Sequence, residues 1–177
     1  MKICIYGLGA VGGLMAARLA GSGANVSAVA RGATLDAVRR DGLTLIDTAD
    51  GQARRQRFTL AVSERPERLG VQDVVVVAVK ATGLPDVARA IAPLLGPETT
   101  VLSAMNGVPW WFFHGLAPEH ASMQLQCIDP DGSISAAMAP GIAEPSGAMR
   151  RLCPRTLANH ASLSIFFGQN FRAESRA

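Results

Sequence analysis

The sequence predicts an α/β fold in which helices cover both faces of a mostly parallel sheet. Two observations lead to this prediction: an apolar strand near the start of the chain that ends in a glycine-rich turn, and a valine-rich run that is apolar on both faces. The 177 residues suffice for one domain of ordinary size. With 49% hydrophobic and 18% charged residues the chain is not of a disordered or collagen-like class, and no apolar run has the roughly 18 residues of a membrane span.

The glycine-rich turn follows the first predicted strand, residues 2–6. Its spacing is G-x-G-x-x-G, formed by Gly7, Leu8, Gly9, Ala10, Val11 and Gly12. In this pattern Gly7 permits the tight turn, Gly9 lets the backbone approach a pyrophosphate, and Gly12 allows the helix to pack closely on the strand. The turn therefore predicts a phosphate site at a helix N-terminus.

The residues after the turn supply the context that this motif needs. A helix is predicted over residues 10–20 and a second strand over residues 25–30, which completes a βαβ unit and predicts a Rossmann-type, doubly wound fold. Arg31 stands at the end of the second strand, where NAD-preferring sites place an acidic residue. Its planar cation favours a 2′-phosphate, which predicts NADP(H) as the cofactor. The alternative is an Arg31 that is simply solvated or paired with Asp36.

An insert follows, with a short helix over residues 34–40 and strands over residues 43–46 and 58–62. The two strands flank an Asp50-Gly51 turn and predict a hairpin. The arginine-rich residues 54–57 could contact a phosphate, but charges commonly protect exposed strand edges, and that interpretation is favoured.

The valine-rich run over residues 71–79 predicts a strand in the middle of the sheet. Lys80 follows it, and Asn106 follows a further strand over residues 100–104, with a helix over residues 85–95 between the two strands. Ligands of open α/β sheets bind outside the carboxyl ends of the strands, so both side chains are candidate cofactor contacts. The alternatives are a lysine that ends a strand by chance and an ordinary Asn-Gly turn.

At this point the chain resembles the ketopantoate reductase (2-dehydropantoate 2-reductase) family over roughly residues 1–135. The matching features are the GLGAVG turn, Arg31, the VVVAVKA stretch around Lys80, the PLLGPETTV stretch and the MNGV turn at Asn106. The resemblance implies NADPH-dependent reduction of ketopantoate to pantoate, in pantothenate biosynthesis. It also implies that residues 7–12 bind the pyrophosphate, Arg31 the 2′-phosphate, Lys80 the cofactor, and Asn106 both the nicotinamide end and the substrate.

Two features depart from the family. The aromatic residues 110–113 replace a polar turn, so the identity of the 2-oxo acid substrate stays open. Four adjacent aromatics cannot all face one core, so some of them should line a cleft or an interface. The family's general-acid lysine lies in a C-terminal helical domain, and no lysine follows Lys80 here. The catalytic residues are therefore unknown, and His114, His120 and His160 are weak substitutes because no carboxylate is placed to orient them.

The domain prediction is a Rossmann domain over residues 1–132 and an irregular tail over residues 133–177. The tail has three prolines and no helical or strand period, which suggests a frameshifted or disordered segment in place of the helical domain. By this interpretation the chain is a truncated family member that binds NADPH with little or no turnover. The alternatives are a non-enzymatic NADP-binding module, which could form a homodimer through its aromatics, and a reductase of a different 2-oxo acid.

Charge and cysteine content argue against nucleic acid, a disulfide framework and a bound metal. The net charge of +3 comes entirely from residues 133–177, and no basic stripe is interleaved with aromatics, which argues against nucleic acid. Three widely spaced cysteines form no C-x-x-C pair, so neither a disulfide framework nor a metal site is predicted. A cytoplasmic protein with a small 2-oxo acid substrate and no membrane partner fits best.

Overall fold

The computed structural model describes residues 1–47, 52–113 and 123–138, and this part of the chain contains seven strands and four α-helices. The strands are β1 (Lys2–Tyr6), β2 (Asn25–Val29), β3 (Leu43–Asp47), β4 (Arg54–Phe58), β5 (Ala61–Ser63), β6 (Val74–Val77) and β7 (Thr100–Ser103). The helices are α1 (Ala10–Gly21), α2 (Gly32–Asp41), α3 (Leu84–Ala90) and α4 (Ser133–Ala137). Short 3-10 turns lie at Pro66–Arg68, Ala81–Gly83 and Ala92–Leu94.

Five strands form one parallel sheet in the order β5-β2-β1-β6-β7. The first strand of the chain is thus its central strand, with β2 on one side and β6 on the other. Side chains alternate along each strand, so Cys4 faces one layer while Ile3 and Ile5 face the opposite one. The predicted mostly parallel α/β fold is confirmed.

Helices cover both faces of this sheet. On one face, Ala16 of α1 packs with Ile3, Ile5, Val26 and Val76. On the other, α3 and the segment after it pack against the sheet through a larger set of buried side chains: Cys4, Val29, Val75, Val77, Leu84, Val87, Ile91, Leu94, Trp110, Ile134 and Met138. The predicted doubly wound arrangement, in which the chain switches faces between β2 and β6, follows from this division.

The hairpin insert is present, but its second strand was placed wrongly from the sequence. β3 pairs antiparallel with β4, and β4 is the arginine-rich stretch itself. The run predicted as one strand over residues 58–62 is divided: Phe58 ends β4, and Ala61 begins β5, which joins the main sheet beside β2. The arginine side chains of β4 are exposed, in agreement with the predicted solvated edge.

The predicted elements around α3 are longer than the observed ones. The strand over residues 71–79 is limited to β6, and the helix over residues 85–95 ends at Ala90 and continues only as a 3-10 turn. Pro93 explains the break, because proline has no N–H to donate and disfavours a helical conformation in the residue before it.

The segment predicted to be irregular begins with helix α4, whose Ile134 and Met138 are buried in the core against α3. Asp129, itself fully buried, accepts hydrogen bonds from the backbone N–H groups of Ile134 and Ser135 at 2.9 and 2.8 Å and so satisfies the start of this helix. Packed structure therefore extends past residue 132. Residues 139–177, which hold the rest of the predicted tail, lie outside the described residues.

Candidate functional site

Gly7 forms the turn out of β1 in a conformation that other residues rarely adopt. Its φ is +103°, and its N–H donates to the carbonyl of Val29 at 2.9 Å. A Cβ atom built on Gly7 would lie 2.8 Å from Cγ1 of Val79 and 3.1 Å from the carbonyl oxygen of Ala78. Both the positive φ and the close neighbours on the β6 side therefore call for glycine.

Gly12 brings helix α1 into direct contact with that turn. A Cβ atom on Gly12 would lie only 1.9 Å from the carbonyl oxygen of Gly7 and 3.0 Å from Cβ of Ala78. The start of α1 thus packs against the turn with no room for a side chain, as the glycine spacing predicts.

Gly9 has the opposite surroundings, because a Cβ atom there would meet nothing within 4 Å. It is the N-cap of the 12-residue helix α1 and supplies no side-chain cap, while Ala10 and Val11 are exposed beside it. The helix start therefore presents its backbone N–H groups to open space over which an anion can approach closely. Binding of a dinucleotide pyrophosphate over this helix start stays a prediction.

The parallel sheet brings the other predicted site residues to the same edge as this turn. Arg31 follows β2, Lys80 follows β6, and Asn106 follows β7, and all three are exposed. Arg31 and Lys80 lie on opposite sides of the turn after β1, and Asn106 lies one strand beyond Lys80. The grouping predicted from the strand ends is thus present in the fold, while the ligand that each residue binds stays a prediction.

Arg31 is paired with an aspartate, although not with Asp36. Its guanidinium lies 3.2 Å from Oδ2 of Asp86 in the first turn of α3, and Asp86 also pairs with Arg89 one turn later. The Arg31 side chain is 72% exposed and that of Asp86 49% exposed. The hydrogen bond from Arg31 lowers the pKa of the Asp86 carboxyl most, and the hydrogen bond from Arg89 lowers it further.

Tyr6, the last residue of β1, lies beside this ion pair. Burial raises the pKa of its phenol, the charge of Arg31 opposes that rise, and Asp86 adds to it. The Arg31–Asp86 pair thus joins the residue that precedes α2 to helix α3, and β1 lies between β2 and β6 in the sheet. Sequence reasoning missed Asp86 because the contact joins residues 55 positions apart; the only local signal was its i,i+3 spacing with Arg89.

The aromatic residues 110–113 divide as expected between core and surface. Trp110 is buried, and its indole N–H donates to the carbonyl of Met138 at 3.2 Å. Trp111 and Phe112 are 39% and 46% exposed. Of the histidines considered as substitute acids, His114, His120 and His160 all lie outside the described residues.

Two further searches cover only the described residues. Within the ranges 1–47, 52–113 and 123–138, no group of three or more His, Cys, Asp or Glu side chains could hold a metal ion. In the same ranges, no helix has the length and apolar character needed to cross a membrane.

Comparisons with known proteins give a consistent picture. The family model "Ketopantoate reductase PanE/ApbA" matches residues 3–109. A 2-dehydropantoate 2-reductase of Mesorhizobium japonicum is 45% identical over 135 residues, which make up 76% of this chain and 40% of that protein. The chain therefore spans well under half the length of this relative.

Solved structures agree with the sequence comparisons. A candidate ketopantoate reductase of Ralstonia solanacearum is 48% identical with a TM-score of 0.72, and the match covers 77% of this chain and 41% of that one. A D-mandelate dehydrogenase, solved with NADH and anilino(oxo)acetate, is 26% identical with a TM-score of 0.54, covering 62% of this chain and 35% of that one.

Proposed function

This chain belongs to the ketopantoate reductase PanE/ApbA family, and from that premise we propose that it binds NADP(H) for the reduction of 2-dehydropantoate to pantoate. The observation that carries the proposal is the built turn after β1: Gly7 and Gly12 have no room for a side chain, and Gly9 opens onto free space at the start of α1. A turn that merely reversed the chain would not need this combination.

The proposed roles follow the positions of the residues along one sheet edge. The backbone of residues 7–12 holds the pyrophosphate, Arg31 pairs with the 2′-phosphate, and Lys80 contacts the cofactor from the other side of the turn. Asn106, with two amide donors and an acceptor, orients the nicotinamide end and the substrate. NADPH, when bound there, supplies the hydride for the ketone carbon.

Reduction of a ketone also requires a proton for the developing alkoxide, and a positioned acid contributes roughly 10²–10⁴-fold to the rate. The family resemblance assigns that role to a lysine, and no lysine follows Lys80 in these 177 residues. We therefore expect this chain by itself to bind NADPH with little or no turnover. A purified sample incubated with NADPH and ketopantoate should lose NADPH absorbance no faster than a sample without the keto acid.

Cofactor titration of the purified chain tests the binding proposal directly. Tryptophan fluorescence or calorimetric heat should show NADPH bound at least about tenfold more tightly than NADH, a difference of about 1.4 kcal/mol. Arg31→Gln should remove that preference and leave NADH affinity unchanged. Arg40→Gln is the control, because Arg40 is equally exposed and is also paired with an aspartate, at the other end of α2. Equal affinities for the two cofactors, or an Arg31→Gln variant that keeps the preference, would contradict the proposal.

A reductase of a different, aromatic 2-oxo acid is the second candidate. Trp111 and Phe112 are exposed a few residues after Asn106, and the structural relative D-mandelate dehydrogenase was solved with an aromatic oxoacetate. Quenching of the Trp111 fluorescence by phenylglyoxylate but not by ketopantoate, in the presence of NADPH, would favour this candidate.

A further inference from the structure

We infer that Asp86 weakens the preference of this site for NADPH, because its carboxylate competes with the 2′-phosphate for Arg31. The inference rests on the proposed function, since it needs a cofactor at the turn after β1. It adds a specificity-determining residue from α3, an element outside the βαβ unit that carries the glycine motif.

The geometry places the competing carboxylate directly at the cation. Oδ2 of Asp86 lies 3.2 Å from Nη1 of Arg31, within hydrogen-bond distance. Arg31 follows β2 and Asp86 lies in α3, which follows β6, and β1 is the strand between β2 and β6 in the sheet. A 2′-phosphate brought to Arg31 by a dinucleotide on the turn after β1 would therefore meet Asp86 as well.

Charge determines the direction of the effect. A phosphate monoester carries about −1.5 to −2 charges at neutral pH, so it is repelled by a carboxylate that shares its cation. NADH carries a 2′-hydroxyl at the same place, which has no charge to repel and can donate a hydrogen bond to a carboxylate. NAD-type sites use an acidic residue for this contact. Asp86 thus disfavours NADPH and leaves NADH unaffected or slightly favoured.

The surroundings of Asp86 make it a competitor rather than a support for Arg31. Asp86 keeps a second partner, Arg89, when Arg31 moves away to a phosphate. Both members of the Arg31–Asp86 pair are exposed, and exposed ion pairs exchange easily with solvent and other ligands. Arg31 does not depend on Asp86 for its placement at the sheet edge, because its backbone is fixed as the N-cap of α2 directly after β2.

The experiment titrates NADPH and NADH against the wild type, Asp86→Asn and the control Asp41→Asn. Asp41 is paired with Arg40 and has the same exposure as Asp86, 49%, but it lies at the far end of α2. Both substitutions change the net charge equally. We expect Asp86→Asn to bind NADPH about threefold more tightly, in the range for exposed charge pairs, with NADH unchanged or weaker. The control should change neither affinity.

A double variant identifies Arg31 as the group through which Asp86 acts. In an Arg31→Gln background only the direct repulsion between Asp86 and the phosphate is left, so Asp86→Asn should produce a clearly smaller gain in NADPH affinity than it does with Arg31 present. Added salt should reduce the gain in both backgrounds. The inference is overturned if Asp86→Asn leaves NADPH affinity unchanged or lowers it, or if the gain is as large without Arg31 as with it. A wild type that binds neither NADPH nor NADH would instead overturn the proposed function, and this inference with it.

Discussion

The turn after β1 and the β3–β4 hairpin are both chain reversals, but they are built in opposite ways. At the turn, Gly12 packs a helix onto a backbone carbonyl and Gly7 adopts a positive φ against β6. In the hairpin strands the buried side chain is Leu45, and the arginines of β4 are exposed. The comparison shows that the closest of these backbone approaches, 1.9 Å at Gly12, lies next to the edge proposed to bind the cofactor, and we expect the exposed positions of β4 to tolerate change.

Gly12→Ala should give the largest effect. The added Cβ would meet the Gly7 carbonyl at 1.9 Å, a backbone atom that cannot move aside cheaply, so we expect a loss of about 3 kcal/mol or more in the free energy of unfolding. Urea denaturation measures the loss, and NADPH affinity should fall with it. Gly13→Ala is the control, since its Cβ would meet nothing within 4 Å, and it should stabilise helix α1 by up to about 1 kcal/mol. Similar behaviour of the two variants would show that the turn is not tightly packed.

The strand beneath the turn should make stability depend on pH at the alkaline end. Burial raises the pKa of the Cys4 thiol from its usual 9.0 to about 11. Because the folded state holds this proton more tightly than the unfolded state, stability is complete below pH 9 and falls as the pH rises toward 11, by about 2–3 kcal/mol. Urea denaturation at several pH values should show this slope. Cys4→Ala should reduce it, whereas Cys127→Ala, at an exposed cysteine, should keep it.

Leu45→Ala tests how much the buried side chain of the hairpin contributes to the free energy of unfolding. Leu45 is 7% exposed, and its truncation should cost about 2 kcal/mol, at the low end for a core leucine. NADPH affinity should stay the same, because β3 and β4 form a separate two-stranded sheet and do not pair with the strands that precede Arg31 and Lys80. A variant that lost cofactor affinity while still folded would show that the two regions are coupled.

Arg55→Thr should have the smallest effect. Arg55 is an exposed residue of β4, opposite Ile46, and threonine suits a strand. We expect the free energy of unfolding to change by less than about 0.5 kcal/mol and cofactor affinity to stay constant. A large drop in NADPH affinity would support the alternative in which the arginine-rich residues 54–57 contact a phosphate.

Sequence reasoning worked best where a local pattern had one physical cause. The glycine spacing, the strand ends before Arg31, Lys80 and Asn106, and the central position of the valine-rich strand all follow from backbone geometry that a few residues determine. From these features the fold was predicted correctly, together with the residues that lie along one edge of the sheet, whose binding of a cofactor stays a prediction.

It failed where distant contacts decide the outcome. The run over residues 58–62 is continuous in sequence, but its halves pair with different sheets, β4 with β3 and β5 with β2. The start of the predicted tail is ordered by Asp129 and by burial of Ile134 against α3, neither of which leaves a periodic signal in five helical residues. Asp86 reaches Arg31 only because α3 and β2 meet across β1.

The central position of β1 has a consequence for how the chain is synthesised. β1 acquires its first neighbour when Val29 is made, but its other edge must wait for residues 74–77. At a translation rate of about 5–20 residues per second, that interval lasts roughly 2–10 s. During it, the Ile3-Cys4-Ile5 edge is an open template for wrong pairing. The nascent chain is thus exposed to mispairing at β1 until the valine-rich strand has left the ribosome.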